Sequence, residues 1–434
     1  MPPKPKSARP PAKAGAQGTP AKGAPGSGDK AAASKKPGAP SPARAAPARE
    51  EPFAPATILV LGGYGTVGSA IARILLEQSS TATVLVAGRA AEKAASMAKQ
   101  LCAEFPSNTG ERAKAVTADA SDTSTFTGCP KFDVLVNATT MSAVEGVITL
   151  MRLAASKRAH YIDLRGVIGL EAAIAKAVGD VGPVILMGGG YCPGSVAPLL
   201  KTAANKLATC SSAHLSIAAS ALPSQAEEAI EAMMSGTRLE DWKNGKWKPA
   251  KPSEPSFTRR IDFGDGMVRH TTPVGVSEVR ELPAQLALDE CSVRFASTQD
   301  GGLMCAATAV LCCAPCVGLR EGISKHLRSA MQRQRAKEPN LCALLCEATG
   351  VDREGKPRKV VLRASHPAGP AAMAAHCCVA QLTQILTNAI SGGVPPRMCG
   401  VAVDADKLLG ALIKQGVKAS IETLDVHADP SYDA

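Results

Sequence analysis

Gly63, Gly65 and Gly68 stand at Gly-x-Gly-x-x-Gly spacing, with Tyr64, Thr66 and Val67 between them, inside the run Thr57 to Leu75. An apolar, strand-forming stretch feeds this turn and an amphipathic helical stretch leaves it. Glycines so spaced permit a tight turn, a close backbone approach to a pyrophosphate, and close packing of helix on strand. The anion would rest on the helix N-terminus, where unpaired N–H groups and the helix dipole favour negative charge. The chemistry implied is dinucleotide binding.

The next strand, Thr83 to Ala87, runs into Gly88-Arg89. A binder of unphosphorylated NAD usually carries an acid there for the ribose 2′-hydroxyl. Arg89 offers instead a planar, permanently charged fork suited to a 2′-phosphate, and Lys93 follows one helical turn later. NADP(H) is therefore the cofactor expected. Asp119, ending a third strand, stands where such folds approach the adenine or simply form a turn. Asn137, Ala138 and Thr139 follow a fourth strand at the carboxyl edge of the expected sheet and are further cofactor contacts.

Tyr161 and Asp163 lie at i and i+2 on a fifth strand, so they share a face and become the candidates for handling a proton. Tyr191 and Cys192, ahead of Pro193-Gly194, are substrate-pocket candidates, with a helix start expected near Ser195. Arg280 is a candidate carboxylate clamp, as is Arg269, against the alternative of surface salt bridges. Cys313 and Cys316 have metal-like spacing with no second pair, and Cys342/Cys346 and Cys377/Cys378 read as buried thiols, so no metal site is predicted.

These residues need a parallel sheet to position them. Helices near 90–104 and 143–156 alternate with strands near 113–118, 132–137, 160–164 and 183–187, which predicts an α/β, doubly wound parallel sheet of Rossmann type. Beyond about residue 205 the pattern changes. Strands at 256–263 and 267–274 flank the turn Gly264-Asp265-Gly266, pointing to antiparallel pairing in a second, α+β domain. The organisation predicted is a tail over 1–54, a dinucleotide-binding domain over 55–204, a substrate or dimerisation domain over 205–368, and C-terminal helices over 369–434. Those helices, near 369–390 and 405–415, are expected to pack back on the first domain.

The chain has 434 residues and a formal charge of +11 from 49 Lys/Arg and 38 Asp/Glu. Residues 1–50 hold ten Lys/Arg against Asp29 and Glu50, a net +8, so only +3 belongs to the remainder. The basic balance thus gives no reason to assign nucleic-acid binding to the folded body. That first segment contains no Val, Ile, Leu, Phe, Tyr or Trp and is expected to be disordered. Without an apolar h-region near the start, and with fourteen cysteines read as reduced thiols, a cytoplasmic setting is expected, or an organelle if the tail is a transit segment. Residues 301–319 carry no charge and a basic stretch follows, which reads as a buried helix and leaves peripheral membrane contact open.

Three segments together resemble the saccharopine dehydrogenase-like oxidoreductases: the glycine turn with Ala87-Gly88-Arg89, the run Val136-Asn137-Ala138-Thr139 followed by Tyr161-Ile162-Asp163-Leu164, and Gly189-Gly190-Tyr191-Cys192-Pro193-Gly194. The resemblance implies an NADP-binding Rossmann domain, an α/β substrate domain that dimerises, and hydride transfer that makes or breaks a secondary amine in a small-molecule substrate. The function expected is thus an NADP(H)-dependent oxidoreductase acting on C=N or a related group. Its alternatives are a non-catalytic dinucleotide-binding scaffold or sensor, and a membrane-associated enoyl or lipid reductase.

Overall fold

In a computed structural model, residues 51–108, 110–140, 143–165, 170–220, 239–251, 254–296 and 317–426 are described. The N-terminal segment 1–50 and the stretch 301–316, with Cys305, Cys312, Cys313 and Cys316, lie outside them.

The first half alternates strand and helix as the sequence pattern requires. It comprises β1 (Thr57–Leu61), α1 (Thr66–Gln78), β2 (Thr83–Gly88), α2 (Ala91–Glu104), β3 (Ala113–Thr117), β4 (Val134–Asn137), α3 (Val144–Ser156), β5 (His160–Asp163), α4 (Glu171–Val178), β6 (Ile185–Met187) and α5 (Val196–Ala204). The strands are near-continuous apolar runs because helices cover both sheet faces. With a later strand, β15 (Arg397–Met398), at one edge, sheet order is β15-β6-β5-β4-β1-β2-β3, all parallel. The chain winds outward in one direction from β1 and in the other from β4, so the gap between these neighbours is the topological switch point.

A second, nine-stranded sheet follows. Its members are β7 (Thr209–Ala219), β8 (Glu240–Lys243), β9 (Lys246–Pro249), β10 (Arg259–Asp262), β11 (Val268–Pro273), β12 (Glu290–Ala296), β13 (Cys342–Val351), β14 (Pro357–Ser365) and β16 (Lys418–Asp425). The main path is β10-β11-β12-β7-β13-β14-β16, and β8 and β9 branch from β12. Pairing is antiparallel except β12 with β7, so the sheet is mixed. The expected strand at 256–263 begins only at Arg259, since Pro255 starts a short 3₁₀ turn through Phe257.

The remaining helices are α6 (Leu282–Gln285), α7 (Val317–Lys337), α8 (Pro370–Leu386), α9 (Cys399–Ala402) and α10 (Ala405–Lys414). Helix α8 packs on α1 of the first sheet, and α10 packs on α5 and α8. The C-terminal segment supplies more than helices: β15 (Arg397–Met398) extends the first sheet and β16 closes one edge of the second. One continuous core joins Val60, Ile71, Leu200, Leu215, Leu362 and Cys378, so helices α1, α5 and α8 are the shared filling between the sheets. The ten cysteines among the described residues are all free, and Cys342, Cys346, Cys377 and Cys378 are buried.

Candidate functional site

The glycine turn is built by contacts that leave no room for a Cβ. Gly62 adopts φ +80°, and a Cβ there would lie 2.9 Å from the Ala138 carbonyl oxygen; one on Gly68 would overlap the Gly62 carbonyl. The amides of Gly62 and Gly63 donate to the Ala87 carbonyl at 2.8 and 3.1 Å, tying the turn to β2. The first intrahelical bond of α1 runs from Ser69 N–H to the Gly65 carbonyl, so the amides of Thr66, Val67 and Gly68 precede the helical ladder. Gly65 caps the helix without a side chain, and no acid occupies its first turn. This is a cradle for an anion. Gly62, outside the glycine spacing read from the sequence, is the member whose backbone conformation demands glycine.

Tyr64 reaches from the turn to the end of β2, where its hydroxyl accepts the Ala90 N–H at 3.3 Å and its ring lies against Gly88. Arg89 is exposed just beyond, as is Lys93. Asp119 sits close enough to Arg89 to feel its charge, but its carboxylate is held first by the backbone and hydroxyl of Ser121, at 2.9 and 2.7 Å, and these bonds lower its pKa. Asp119 is thus a turn former beside the Arg89 corner.

On the other side of the switch point, Asn137 is a buried hub. Its Nδ2 donates to Asp163 Oδ2 at 2.8 Å and to the Tyr161 hydroxyl at 3.2 Å, while its Oδ1 accepts from Thr139 N and Oγ1 at 3.2 and 2.7 Å. Tyr161 Oη donates to Asp163 Oδ2 at 2.8 Å, and Asp163 Oδ1 accepts the Arg165 N–H at 2.8 Å. The shared strand face brings Tyr161 and Asp163 together, but Tyr161 is 0% and Asp163 4% exposed. Burial, and then the Asp163 charge, push the Tyr161 hydroxyl well above its ordinary pKa. The pair is committed to Asn137 and to the loops after β4 and β5, and is closed to solvent.

The turn after β6 is gripped from two directions. Glu278, on the 3₁₀ segment Ser277–Val279, accepts N–H bonds through Oε1 from Gly194 at 2.9 Å and Val196 at 3.2 Å. Gln381 of α8 donates to the Gly194 carbonyl at 3.0 Å. Gly194 has φ +130°, and a Cβ on it would overlap the Gly190 carbonyl. The Cys192–Pro193 peptide is cis. Glu278 caps α5, one element of the shared core, and its Oε2 is buried against Gly400 with no hydrogen-bond partner. Burial raises its pKa to about 7, opposed by the backbone N–H bonds and by the charge of Lys201. Sequence reading passed over Glu278, because nothing local marks a carboxylate that acts across 84 residues of chain.

Other candidates are placed differently from expectation. Tyr191 is buried in the main core, 2% exposed. Burial, with Glu278 nearby, pushes the Cys192 thiol up, which keeps it protonated and unreactive. Arg280 is paired: its Nη2 meets Glu240 at 2.7 Å, and its guanidinium lies 5.3 Å from the Trp247 ring centroid. Arg269 likewise meets Glu338 at 2.8 Å. Among the described residues no cluster of His, Cys, Asp or Glu is arranged to hold a metal, and no helix is long and apolar enough to cross a membrane.

Residues 58–182 match the family described as saccharopine dehydrogenase NADP binding domain. The matched span contains the glycine turn, Arg89, Asn137 and Asp163, and the cofactor of that domain is NADP. Apo saccharopine dehydrogenase (L-Glu forming) from Saccharomyces cerevisiae shares the fold at TM-score 0.60 and 14% identity, covering 85% of this chain and 100% of that one. A short-chain type dehydrogenase/reductase from Mycobacterium ulcerans aligns at TM-score 0.22 and 17% identity, over 26% of this chain and 52% of that one. RhlG with NADP from Pseudomonas aeruginosa aligns at TM-score 0.20 and 24% identity, over 27% and 56%. No curated protein matches the sequence.

Two outcomes follow from this geometry. Replacing Arg89 with Asp removes a charge-assisted contact worth about 1.5–3 kcal/mol, so the NADPH dissociation constant measured by fluorescence titration is expected to rise about 10- to 100-fold, with NADH affinity nearly unchanged. An equal loss for both nucleotides would remove Arg89 from the 2′-phosphate. For Glu278, a pKa raised from 4.5 to about 7 means the folded state keeps a proton that the unfolded state releases. Its contribution is intact below pH 4.5 and is lost as pH rises to about 7, a loss on the order of 3 kcal/mol. Relative to Glu278→Gln, urea stability of the parent should therefore fall between pH 5 and 8; parallel profiles would refute the buried titration.

Proposed function

We propose that this chain is an NADP(H)-dependent oxidoreductase that transfers a hydride to or from a C=N centre, interconverting an imine and a secondary amine. The carrying observation is the carboxyl edge of the first sheet, where the amides that open α1 lie beside the loop after β4 through the Gly62–Ala138 approach, and Arg89 stands exposed after β2. When bound, the nicotinamide supplies the hydride. Thr66, Val67 and Gly68 amides would hold the pyrophosphate, Arg89 the 2′-phosphate, and the Asn137–Thr139 loop the nicotinamide side.

The residues flanking that edge favour C=N over a simple carbonyl. Reduction of a ketone develops an alkoxide, which an enzyme must meet with a donor or an acid. Reduction of an iminium leaves a neutral amine, because the substrate brings its own proton and charge, and positioning carries most of the catalysis. Tyr161 is held protonated by burial and bonded to Asp163, and the Cys192 thiol is neutral; these are groups that orient loops. Glu278 and Gln381 fix the Tyr191–Gly194 turn from the second sheet and from α8, which supports its role as the substrate-side wall.

The test is NADPH consumption by the full chain in the presence of amine and oxo-acid or aldehyde pairs, preformed cyclic imines, and carbonyl compounds alone. Turnover that requires the amine partner or a preformed imine is expected. Turnover with a carbonyl alone would overturn the C=N assignment. NADPH binding without turnover on any class would favour the non-catalytic dinucleotide-binding reading, which the solvent-closed Tyr161 and Asp163 also fit.

A further inference from the structure

Tyr64 stands between Gly63 and Gly65, in a turn whose close approaches need only glycine. Its ring is accommodated because Gly88, the last residue of β2, has no side chain: a Cβ there would overlap the ring at Cε1 and lie 2.9 Å from the hydroxyl. The turn is tied to the same strand by the Gly62 and Gly63 amides on the Ala87 carbonyl. Ring and turn together hold the hydroxyl at a fixed place against the end of β2, with the side chain half-buried on the main core.

Only one side of that hydroxyl is used. Its oxygen accepts the Ala90 N–H at 3.3 Å, and Ala90, the N-cap of α2, has no side-chain cap of its own. A phenol also carries one proton to donate. Among the described residues that proton meets no acceptor. Packing does not call for it either, since a phenylalanine ring would fill the same space against Gly88. The residues around it are cationic: Arg89, next to Ala90, and Lys93, in the first turn of α2, are both exposed. Asp119, whose charge reaches Arg89, keeps its carboxylate on Ser121. A fixed O–H donor beside exposed cations suits the oxygens of a phosphate monoester.

The geometry points to Tyr64 as a specificity-determining residue that donates its hydroxyl proton to the 2′-phosphate of NADP while accepting the Ala90 N–H. The assignment rests on the NADP reading of Arg89 and gives the same phosphate a second, neutral reader. The two side chains divide the work. Arg89 brings charge, but its exposed stem must be ordered when the ligand binds. Tyr64 brings a donor whose place is already set by Gly88 and Ala90, so it costs little freedom to use.

The experiment is calorimetric titration of the full chain with adenosine 2′,5′-bisphosphate and with adenosine 5′-monophosphate, two unreactive ligands that differ only in the 2′-phosphate. Tyr64→Phe is expected to raise the dissociation constant of the bisphosphate about tenfold and to leave that of the monophosphate unchanged. The loss should persist in an Arg89→Ala background, because each side chain meets the phosphate by itself. Gly88→Ala, which displaces the ring while keeping Tyr64 and Arg89, should reproduce the selective loss, and it decides the matter if Tyr64→Phe fails to fold. No change in Tyr64→Phe, or equal weakening of both ligands, would overturn the assignment. So would a Tyr64→Phe effect that vanishes without Arg89, since Tyr64 would then act only by positioning Arg89. A parent that binds both ligands equally would instead remove the 2′-phosphate site, and with it the NADP reading of Arg89.

Discussion

The close approach of three backbone segments at the switch point sets the rest of the site. Gly68 opens α1 directly over the Gly62 carbonyl, and Gly62 in turn abuts the Ala138 carbonyl, so strand β1, helix α1 and the loop after β4 touch without side chains between them. That proximity aims the first amides of α1 into the gap between β1 and β4. It also requires the β4 loop to hold its shape, and Asn137 meets that need by binding Asp163, Tyr161 and Thr139 at once. A buried polar hub of this kind is stable only when its members are satisfied, which explains why Tyr161 and Asp163 serve the loops.

The second sheet acts on this crevice through the turn Gly190–Gly194. Glu278 comes from the second sheet's side of the chain and caps α5, while Gln381 comes from α8, which packs against α1. The turn is therefore fixed to both halves of the core, and any shift of one sheet against the other would be felt there. A carboxylate with pKa about 7 at this junction is an electrostatic contact between a charge and a helix N-terminus, strongest when ionised yet costly to bury.

Much of the first sheet was legible because each apolar run is long and bounded by a glycine, an acid or a proline: Thr57–Leu61, Thr83–Gly88 and Val134–Asn137 all form where the pattern puts them. The cofactor preference was legible too, since Arg89 follows β2 immediately. The site's interior was not. Nothing in the spacing of Asn137, Tyr161 and Asp163 tells that all three converge on one network, and Arg280 gave no sign that Glu240 and Trp247 would claim it. Strand β15 is too short to carry a period, and β16, exposed on nearly every residue, lacks the inside–outside alternation from which strands are read. The parallel pairing of β7 with β12, separated by a hairpin and a meander, is a tertiary choice beyond local pattern.

The most direct measurement is amide hydrogen exchange of the full chain with and without NADPH. Slowed exchange confined to residues 62–68, 88–90 and 137–140 is expected, because these segments follow β1, β2 and β4 at the carboxyl edge of the first sheet. Protection appearing elsewhere while these segments exchange unchanged would contradict the assignment of that edge as the NADP site.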